Sequence, residues 1–396
     1  GTAQLHVDEF VERDQALADG SSPSWPLADL RLRLRRMIPW LTVVILLLLY
    51  LLAFLDRQIL SVLVDPIRRD LGISDLQVSL LLGFSFGLLY TTAGLVMGSL
   101  VDRWSRRWII YWGVTAWAFA TAAGGLAQGF TMLFVTRMMV GLGEAVLGPA
   151  AYSMISDAVP RQHLSKAIGI FSAGSSIGAG ASFVLGGTLI AYVAQGNTPQ
   201  VPLLSFLATL GPWRAVPVLI GLAGVPIALL IFAIPEPARR SRGETTPSWG
   251  DALRLMSTRK RLWFSIAAGN ACVAILAYST TSWTPAYLAR SFGWSPAEIG
   301  VGLGVLLAVT GTAGQLSSGW LVDRCFSRGM KDAHFRIYAI AVAISTVAAI
   351  IGFLSSDAHV LLAMVAAPFF LLFANGAYGS TAIQHITPSA LRGRTT

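Results

Sequence analysis

Hydrophobic residues along the chain gather into ten long segments, each separated from the next by a short polar stretch. A helix that crosses the hydrocarbon core of a bilayer needs about 20 mostly apolar residues, and each segment is close to or above that length. We therefore predict an all-α polytopic membrane protein with ten spanning helices. They cover residues 38–64, 76–101, 108–127, 132–155, 164–193, 215–234, 262–286, 299–322, 337–354 and 360–383.

The composition favours a membrane protein over a soluble enzyme. Hydrophobic residues make up 54% of the 396 residues and charged residues only 12%, whereas soluble proteins carry about 25% charged residues. The 39 glycines suit closely packed membrane helices. The N-terminal stretch is polar and acidic and lacks the apolar core of a signal peptide.

The net charge of +9 is explained by membrane topology. Lys and Arg concentrate in the cytoplasmic segments of membrane proteins, and most basic residues here lie in the interhelical segments on the same side as the N-terminus. We therefore predict a multi-pass protein of the inner (plasma) membrane with a cytoplasmic N-terminus. This explanation removes the need for a nucleic-acid partner.

An internal repeat indicates a tandem duplication. Six residues of the stretch 98–107 recur in 319–328 at a constant offset of 221 residues. With six helices in each unit, the two units should be parallel and related by an axis along the membrane normal. A second match, between 160–166 and 388–394 at an offset of 228, places the end of this sequence where an eleventh helix would begin. We therefore expect the eleventh and twelfth helices to be missing from it.

The repeat suggests how the chain is organised. We predict a cytoplasmic N-terminal segment, a six-helix bundle, a cytoplasmic linker and an incomplete bundle that holds helices seven to ten. Their ranges are 1–36, 37–234, 235–261 and 262–396.

The repeated loop resembles the signature loop of the major facilitator superfamily, with Ser105 where that family usually has Gly. Leu55-Asp56-Arg57 in the first helix and the stretch 136–145 in the fourth, together with 155–157, are similar to the Spinster family of lysolipid and sphingosine-phosphate transporters, especially its bacterial members. Organic anion:cation symporters share the first- and fourth-helix motifs. The resemblance implies the major facilitator fold and transport by alternating access.

Four charged residues lie inside predicted helices of the first half, where burial in hydrocarbon is costly. They are Asp56, Arg57, Arg137 and Glu144. Arginine stays protonated in such a site, so Asp56 and Glu144 are the predicted proton-coupling residues. Helix geometry places Asp56 and Arg137 at similar depth and leaves Arg57 to reach Glu144 or a substrate. The alternative is a static Asp56–Arg137 pair that holds two helices together.

A proton on either acid would free a guanidinium for bidentate capture of phosphate or carboxylate. The resemblance also implies that the first-helix Asp-Arg and the fourth-helix Glu couple protons and bind substrate. Aromatic and amide side chains of both halves could line the binding site of an amphipathic ligand. Helix packing alone would also explain the presence of any one of these residues. The predicted substrate-binding residues are Arg57, Arg137, Glu144, Tyr90, Tyr278, Trp283, Asn375 and Tyr378.

The signature loop and its repeat resemble the inner gate of the superfamily, whose charges hold the two halves together. Positive-inside topology would explain the arginines of these loops but not their aspartates. The predicted gating residues are Asp102, Arg103, Arg106, Arg107, Asp157, Asp323 and Arg324.

These observations predict a proton-coupled secondary active transporter of an amphipathic anionic or zwitterionic lipid-like molecule, such as a lysophospholipid. Small organic anions such as sugar acids are the alternative cargo, and they would need many hydroxyl and amide groups in the site.

An enzyme is disfavoured because the sequence has no zinc helix, nucleophile elbow or phosphate-binding loop. A sensor or receptor that has the same fold but does not transport is a further alternative. The expected partners are substrate, protons and membrane lipids, with no cofactor or metal, and we expect a monomer.

Overall fold

The computed structural model describes residues 25–194, 209–239, 249–330 and 332–375, and these residues fold into helices joined by short turns. The first half contains α1 (Trp25–Val62), α2 (Val64–Leu71), α3 (Asp75–Ser79), α4 (Ser85–Arg103), α5 (Arg106–Gly125), α6 (Phe130–Glu144), α7 (Leu147–Ala158), α8 (Leu164–Ala194) and α9 (Pro212–Leu229). The second half contains α10 (Trp249–Thr258), α11 (Lys260–Phe292), α12 (Pro296–Ser327), α13 (Ala333–Leu354) and α14 (Ala358–Asn375). A π-helical turn, Leu80–Phe84, joins α3 to α4.

Where the structure describes them, the predicted spanning segments fall on helical structure. Within the described residues, eight stretches are long and apolar enough to cross a membrane, and Ala358–Ala374 is a shorter apolar helix. The fourth predicted segment consists of two helices, α6 and α7, and the tenth runs beyond the described residues. The predicted all-α membrane architecture is confirmed, and α10 adds a short helix to the linker.

The tandem repeat also appears in how helices begin. The Ser74 hydroxyl caps α3 in a capping box with Gln77, and Ser295 caps α12 in the same way with Glu298. Gly72 and Gly293 precede these caps with φ angles of 61° and 68°, a left-handed conformation that glycine adopts without strain. Gly72 and Gly293 are 221 positions apart in the sequence, and so are Ser74 and Ser295. This is the offset of the repeated loop.

The two halves meet mainly along α8 and α12, where glycines allow the backbones to approach closely. A Cβ at Gly187 would lie 2.2 Å from the carbonyl oxygen of Pro296, and one at Gly180 would lie 2.5 Å from that of Gly304. α8 also packs along α1, where a Cβ at Gly178 would lie 2.4 Å from the Leu51 carbonyl oxygen. These contacts leave no room for a side chain, as expected for packed membrane helices.

Ion pairs join the two halves at one end. Near the end of α1, the Arg290 guanidinium of α11 lies 2.6 Å from Asp65 and 2.9 Å from Asp75. At the opposite ends of α8 and α12, a Cβ at Gly169 or Gly319 would meet no atom within 4 Å. Arg290 therefore ties the second half to the first near the end of α1.

The glycine contacts predict a position-specific effect of added methyl groups. Gly187→Ala should lower the thermal unfolding midpoint in detergent, because the methyl group would overlap the Pro296 carbonyl and overpacking costs about 1–3 kcal/mol. Gly169→Ala, in the same helix but with open space around it, is the matched control and should leave the midpoint unchanged or raise it. Equal midpoints for the two variants would contradict close contact between α8 and α12.

Candidate functional site

Asp56 lies at the centre of a buried polar contact between α1, α5 and α6. Its Oδ1 is 3.9 Å from Arg137 Nη1, and its Oδ2 accepts a hydrogen bond of 2.7 Å from the Thr121 hydroxyl. The side chains of Asp56 and Arg137 are only 1% and 5% exposed. The structure thus brings together the two groups that helix geometry placed at similar depth.

Arg57, the next residue along α1, forms the second ion pair. Its Nη2 donates a hydrogen bond of 2.7 Å to Glu144 Oε2. The guanidinium also lies over the rings of Phe54, Phe86 and Tyr90, at 4.7, 4.5 and 4.9 Å from their centroids. Cation–π contacts of this kind hold a guanidinium in place without neutralising it. Glu144 is therefore the charged partner of Arg57.

The four charges balance in number, yet several of their polar atoms lack hydrogen bonds. Asp56 Oδ1, Glu144 Oε1, Arg57 Nε, and Arg137 Nε and Nη2 are buried without a partner among the described residues. Buried polar atoms are normally paired, so each unpaired one calls for an explanation. Each acid has one oxygen that accepts no hydrogen bond from the described residues.

Glycines in the fourth-helix motif hold α6 against its neighbours. A Cβ at Gly141 would lie 2.3 Å from the Phe86 carbonyl oxygen of α4, and one at Gly143 would lie 2.8 Å from the Gly113 carbonyl oxygen of α5. Because Arg137 and Glu144 are seven residues apart, they lie on one face of α6. The glycines between them let α6 pack closely against α4 and α5.

A cavity of about 620 Å³ lies beside the Arg57–Glu144 pair, between α1, the α3–α4 segment and α11. Of the four charged residues, Arg57 alone lines it, and Asp56, Arg137 and Glu144 lie behind the wall. The predicted Tyr90, Tyr278 and Trp283 also line the cavity. The wall includes polar residues that sequence reasoning did not single out: Gln58, Ser61, Ser79, Thr91, Ser279 and Ser282.

Two predicted substrate-binding residues lie at or beyond the last described residue. Asn375 is the last residue of α14, and nothing is described of its side chain. Tyr378 lies outside the described residues. Both stay predictions.

Three of the predicted gating residues, Arg106, Arg107 and Asp157, make contacts within the first half. Arg106 is fully buried and lies 2.5 Å from Asp157 and 3.5 Å from Glu236. It also donates hydrogen bonds to the Ser153 hydroxyl and the Pro237 carbonyl. Arg107 donates to the Ile234 carbonyl oxygen, at 2.9 Å.

The remaining gate charges do not join the halves in this conformation. Asp102, Arg103, Asp323 and Arg324 are exposed, and in the described part of the chain none of them forms an ion pair. Arg324 instead lies 5.4 Å from the Trp320 ring. The gating role of these residues stays a prediction for another conformation.

Glu236 is a network member that sequence reasoning missed, although its position between two prolines after the sixth segment was a visible signal. It accepts hydrogen bonds from the Ser105 hydroxyl and from the backbone N–H of Arg106, at 2.9 Å for the latter. Burial raises the pKa of Glu236, but these hydrogen bonds and the Arg106 charge outweigh it and hold the pKa below its ordinary value. The ionised carboxylate ties the end of the sixth span to the start of α5.

Comparison with known sequences gives a family match over most of the chain. The sequence model of the Major Facilitator Superfamily matches residues 46–396. An MFS-type efflux pump of Mycolicibacterium smegmatis is 30% identical over 295 residues, which are 73% of this chain and 63% of that protein. A probable L-galactonate transporter of Escherichia coli is 25% identical and covers 72% of this chain and 61% of its own length.

Protein spinster of Drosophila melanogaster is 26% identical over 69% of this chain and 44% of its own length. The chain therefore spans less than two thirds of each of these three relatives.

Solved structures share the fold. A bacterial homolog of the human lysosomal transporter Spinster, crystallised in an inward-facing and occupied conformation, is 27% identical. It superposes with a TM-score of 0.77 over 91% of this chain and 77% of its own. A D-xylose–proton symporter, at 14% identity and a TM-score of 0.61, shares the fold alone.

The Glu236 network predicts a pH-dependent contribution to stability. The depressed folded-state pKa means that the contribution is present at neutral pH and is lost as the pH falls through that pKa. Glu236→Gln should therefore lower the unfolding midpoint at neutral pH, by an amount equivalent to about 1–3 kcal/mol, with the difference from the parent shrinking in acid. Asp102→Asn, at an exposed carboxylate near the end of α4, is the control. A difference that stays constant with pH would contradict this assignment.

Proposed function

The chain belongs to the Major Facilitator Superfamily, and we propose that it is a proton-coupled secondary transporter that works by alternating access. The matched family and relatives are integral membrane transporters and not enzymes. The proposed cargo is an amphipathic anionic or zwitterionic molecule of the lysophospholipid or sphingoid phosphate type.

The observation that carries the proposal is the position of Arg57 in the cavity wall, with Glu144 as its charged partner behind it. A proton on Glu144 would remove the negative charge from this pair. The guanidinium would then face the cavity with unsatisfied charge, and its planar donors suit bidentate binding of phosphate or carboxylate. Proton uptake and anion binding are thereby linked at one side chain.

Asp56 provides the second proton site of the proposal. It lies behind the cavity wall, paired with Arg137 and Thr121, so cargo does not touch it directly. Protonation of its free Oδ1 would weaken the attraction between α1 and α6. Such a change at a helix contact is a means by which a proton can bias the two conformations of a transporter.

Apolar and aromatic groups near Arg57 support an amphipathic cargo. Phe86, Leu82, Ile275 and Trp283 line the same cavity as the guanidinium. A molecule with an anionic group on Arg57 would place its hydrophobic part against these side chains. Burial of apolar surface would then add to the binding free energy.

A second cargo class, small hydroxylated organic anions such as sugar acids, is favoured by a different feature of the cavity. The hydroxyl groups of Ser61, Ser79, Thr91, Ser279 and Ser282 lie in the wall. They could hydrogen-bond a polyol chain while Arg57 binds its carboxylate. Relatives of this chain include a hexuronate transporter and a probable galactarate/D-glucarate transporter of Bacillus subtilis.

The proposed topology places the N-terminus in the cytoplasm of a cell whose inner (plasma) membrane holds the protein. Two six-helix bundles, joined by the cytoplasmic linker 235–261, then rock about the central cavity. The end closed by Arg290, Asp65 and Asp75 is the outer end in this topology. The conformation is then inward-facing, like that of the bacterial Spinster homolog.

A transport assay tests the function and separates the two cargo classes. The complete chain is reconstituted in liposomes, a pH gradient is imposed, and the fluxes of a lysophospholipid and of a sugar acid are compared. We expect the lysophospholipid to move faster and its flux to depend on the gradient. Faster sugar-acid flux would replace the proposed cargo, and no flux of either would overturn the transport function.

Removing the titratable group tests the role of Asp56. Asp56→Asn should retain the fold but lose the dependence of flux on pH, because asparagine cannot take up a proton. Asp332→Asn, at an exposed carboxylate paired with Arg336, should behave like the parent protein. Unchanged proton-driven flux in Asp56→Asn would exclude this residue from coupling.

A further inference from the structure

We propose that Thr121 is a positioning residue that holds one oxygen of Asp56 and thereby sets the pH range in which this acid exchanges its proton. The inference rests on the proton-coupling role proposed for Asp56. It adds a group from a third helix, α5, to the charged residues of α1 and α6.

The hydrogen bond makes the two oxygens of Asp56 inequivalent. Oδ2 accepts from the Thr121 hydroxyl at 2.7 Å, whereas Oδ1 has no hydrogen-bond partner among the described residues and lies 3.9 Å from Arg137 Nη1. Thr121 and Asp56 are 5% and 1% exposed. Oδ1 is therefore the oxygen that is available to a proton, and Thr121 fixes the orientation of the carboxyl group.

The hydrogen-bond acceptor of the Thr121 hydroxyl differs from that of most helical threonines in the described chain. Thr280, Thr281 and Thr284 each donate to a carbonyl four residues earlier in their own helix, the usual arrangement for a buried threonine. Thr121 instead donates across from α5 to a carboxylate of α1. The Thr121 hydroxyl is therefore satisfied by a charged group of another helix and not by the backbone of its own helix.

The charged groups around Asp56 define what Thr121 contributes. Arg137 of α6 lies 3.9 Å from its Oδ1, Arg57 is the next residue of α1, and Glu144 of α6 is the ion-pair partner of Arg57. A carboxylate that accepts a hydrogen bond is stabilised in its charged form. Without the hydroxyl, Asp56 would keep the attraction of the arginines but lose this donor, so protonation would occur at higher pH.

A substitution series on α5 tests the inference directly. Thr121→Val removes the donor with little change of shape, Thr121→Ala removes it with less bulk, and Thr121→Ser retains it. Thr115→Val is the matched control, because Thr115 is on the same helix and its buried hydroxyl has no partner in the described structure. The complete chain is studied in lipid bilayers without substrate.

The readout is the protonated-carboxyl stretching band in infrared spectra recorded as a function of pH, assigned to Asp56 by its absence in Asp56→Asn. A hydrogen bond to a charged group corresponds to a shift of about one pH unit. We expect the titration midpoint to move upward by that amount in Thr121→Val and Thr121→Ala. Thr121→Ser and Thr115→Val should stay close to the parent protein.

Equal midpoints in the parent protein, Thr121→Val and Thr121→Ala would overturn the inference, and so would an Asp56 band that does not titrate. The outcome is separable from that of the transport assay. A midpoint that shifts as expected, in a protein whose flux ignores pH, supports the positioning role of Thr121 and refutes the coupling proposed for Asp56.

Discussion

The cost of placing charge in a medium that cannot solvate it governs this structure. Four charged side chains lie in the first six spans, and each requires a partner because hydrocarbon offers none. The pairs Asp56–Arg137 and Arg57–Glu144 meet this requirement with equal numbers of positive and negative groups. A change in the charge of one member therefore affects the stability of the whole group. That constraint gives a membrane helix bundle a means of responding to protons.

Adjacent positions on α1 divide the quartet into two pairs with different surroundings. Successive residues of an α-helix point about 100° apart, so Asp56 faces α5 and α6 while Arg57 faces the cavity. The aromatic rings around Arg57 hold its guanidinium at the wall. In the proposed mechanism, Arg57 meets the cargo with Glu144 as its charged partner behind the wall, and Asp56 responds to protons from a site that cargo does not touch.

The architecture around this site depends on close backbone approach. Gly141 and Gly143 bring α6 against α4 and α5, which sets the distance between the charged pairs. Gly180 and Gly187 bring α8 against α12, along which the halves meet. Arg290 joins the halves at one end of the cavity. Two different sets of glycines therefore fix the geometry of the charges and the contact between the halves.

The sequence alone determined the helices, the duplication and the four buried charges, because each depends on segment length, offset or residue type. Helical spacing also indicated that Asp56 and Arg137 lie at similar depth. It left open whether Arg57 meets Glu144 or substrate, and it gave no sign of the Thr121 donor or of the cavity hydroxyls. Spacing fixes the angle and height of a side chain on its own helix. The rotation of each helix against its neighbours is set by tertiary packing, so only the folded structure decided which side chains meet.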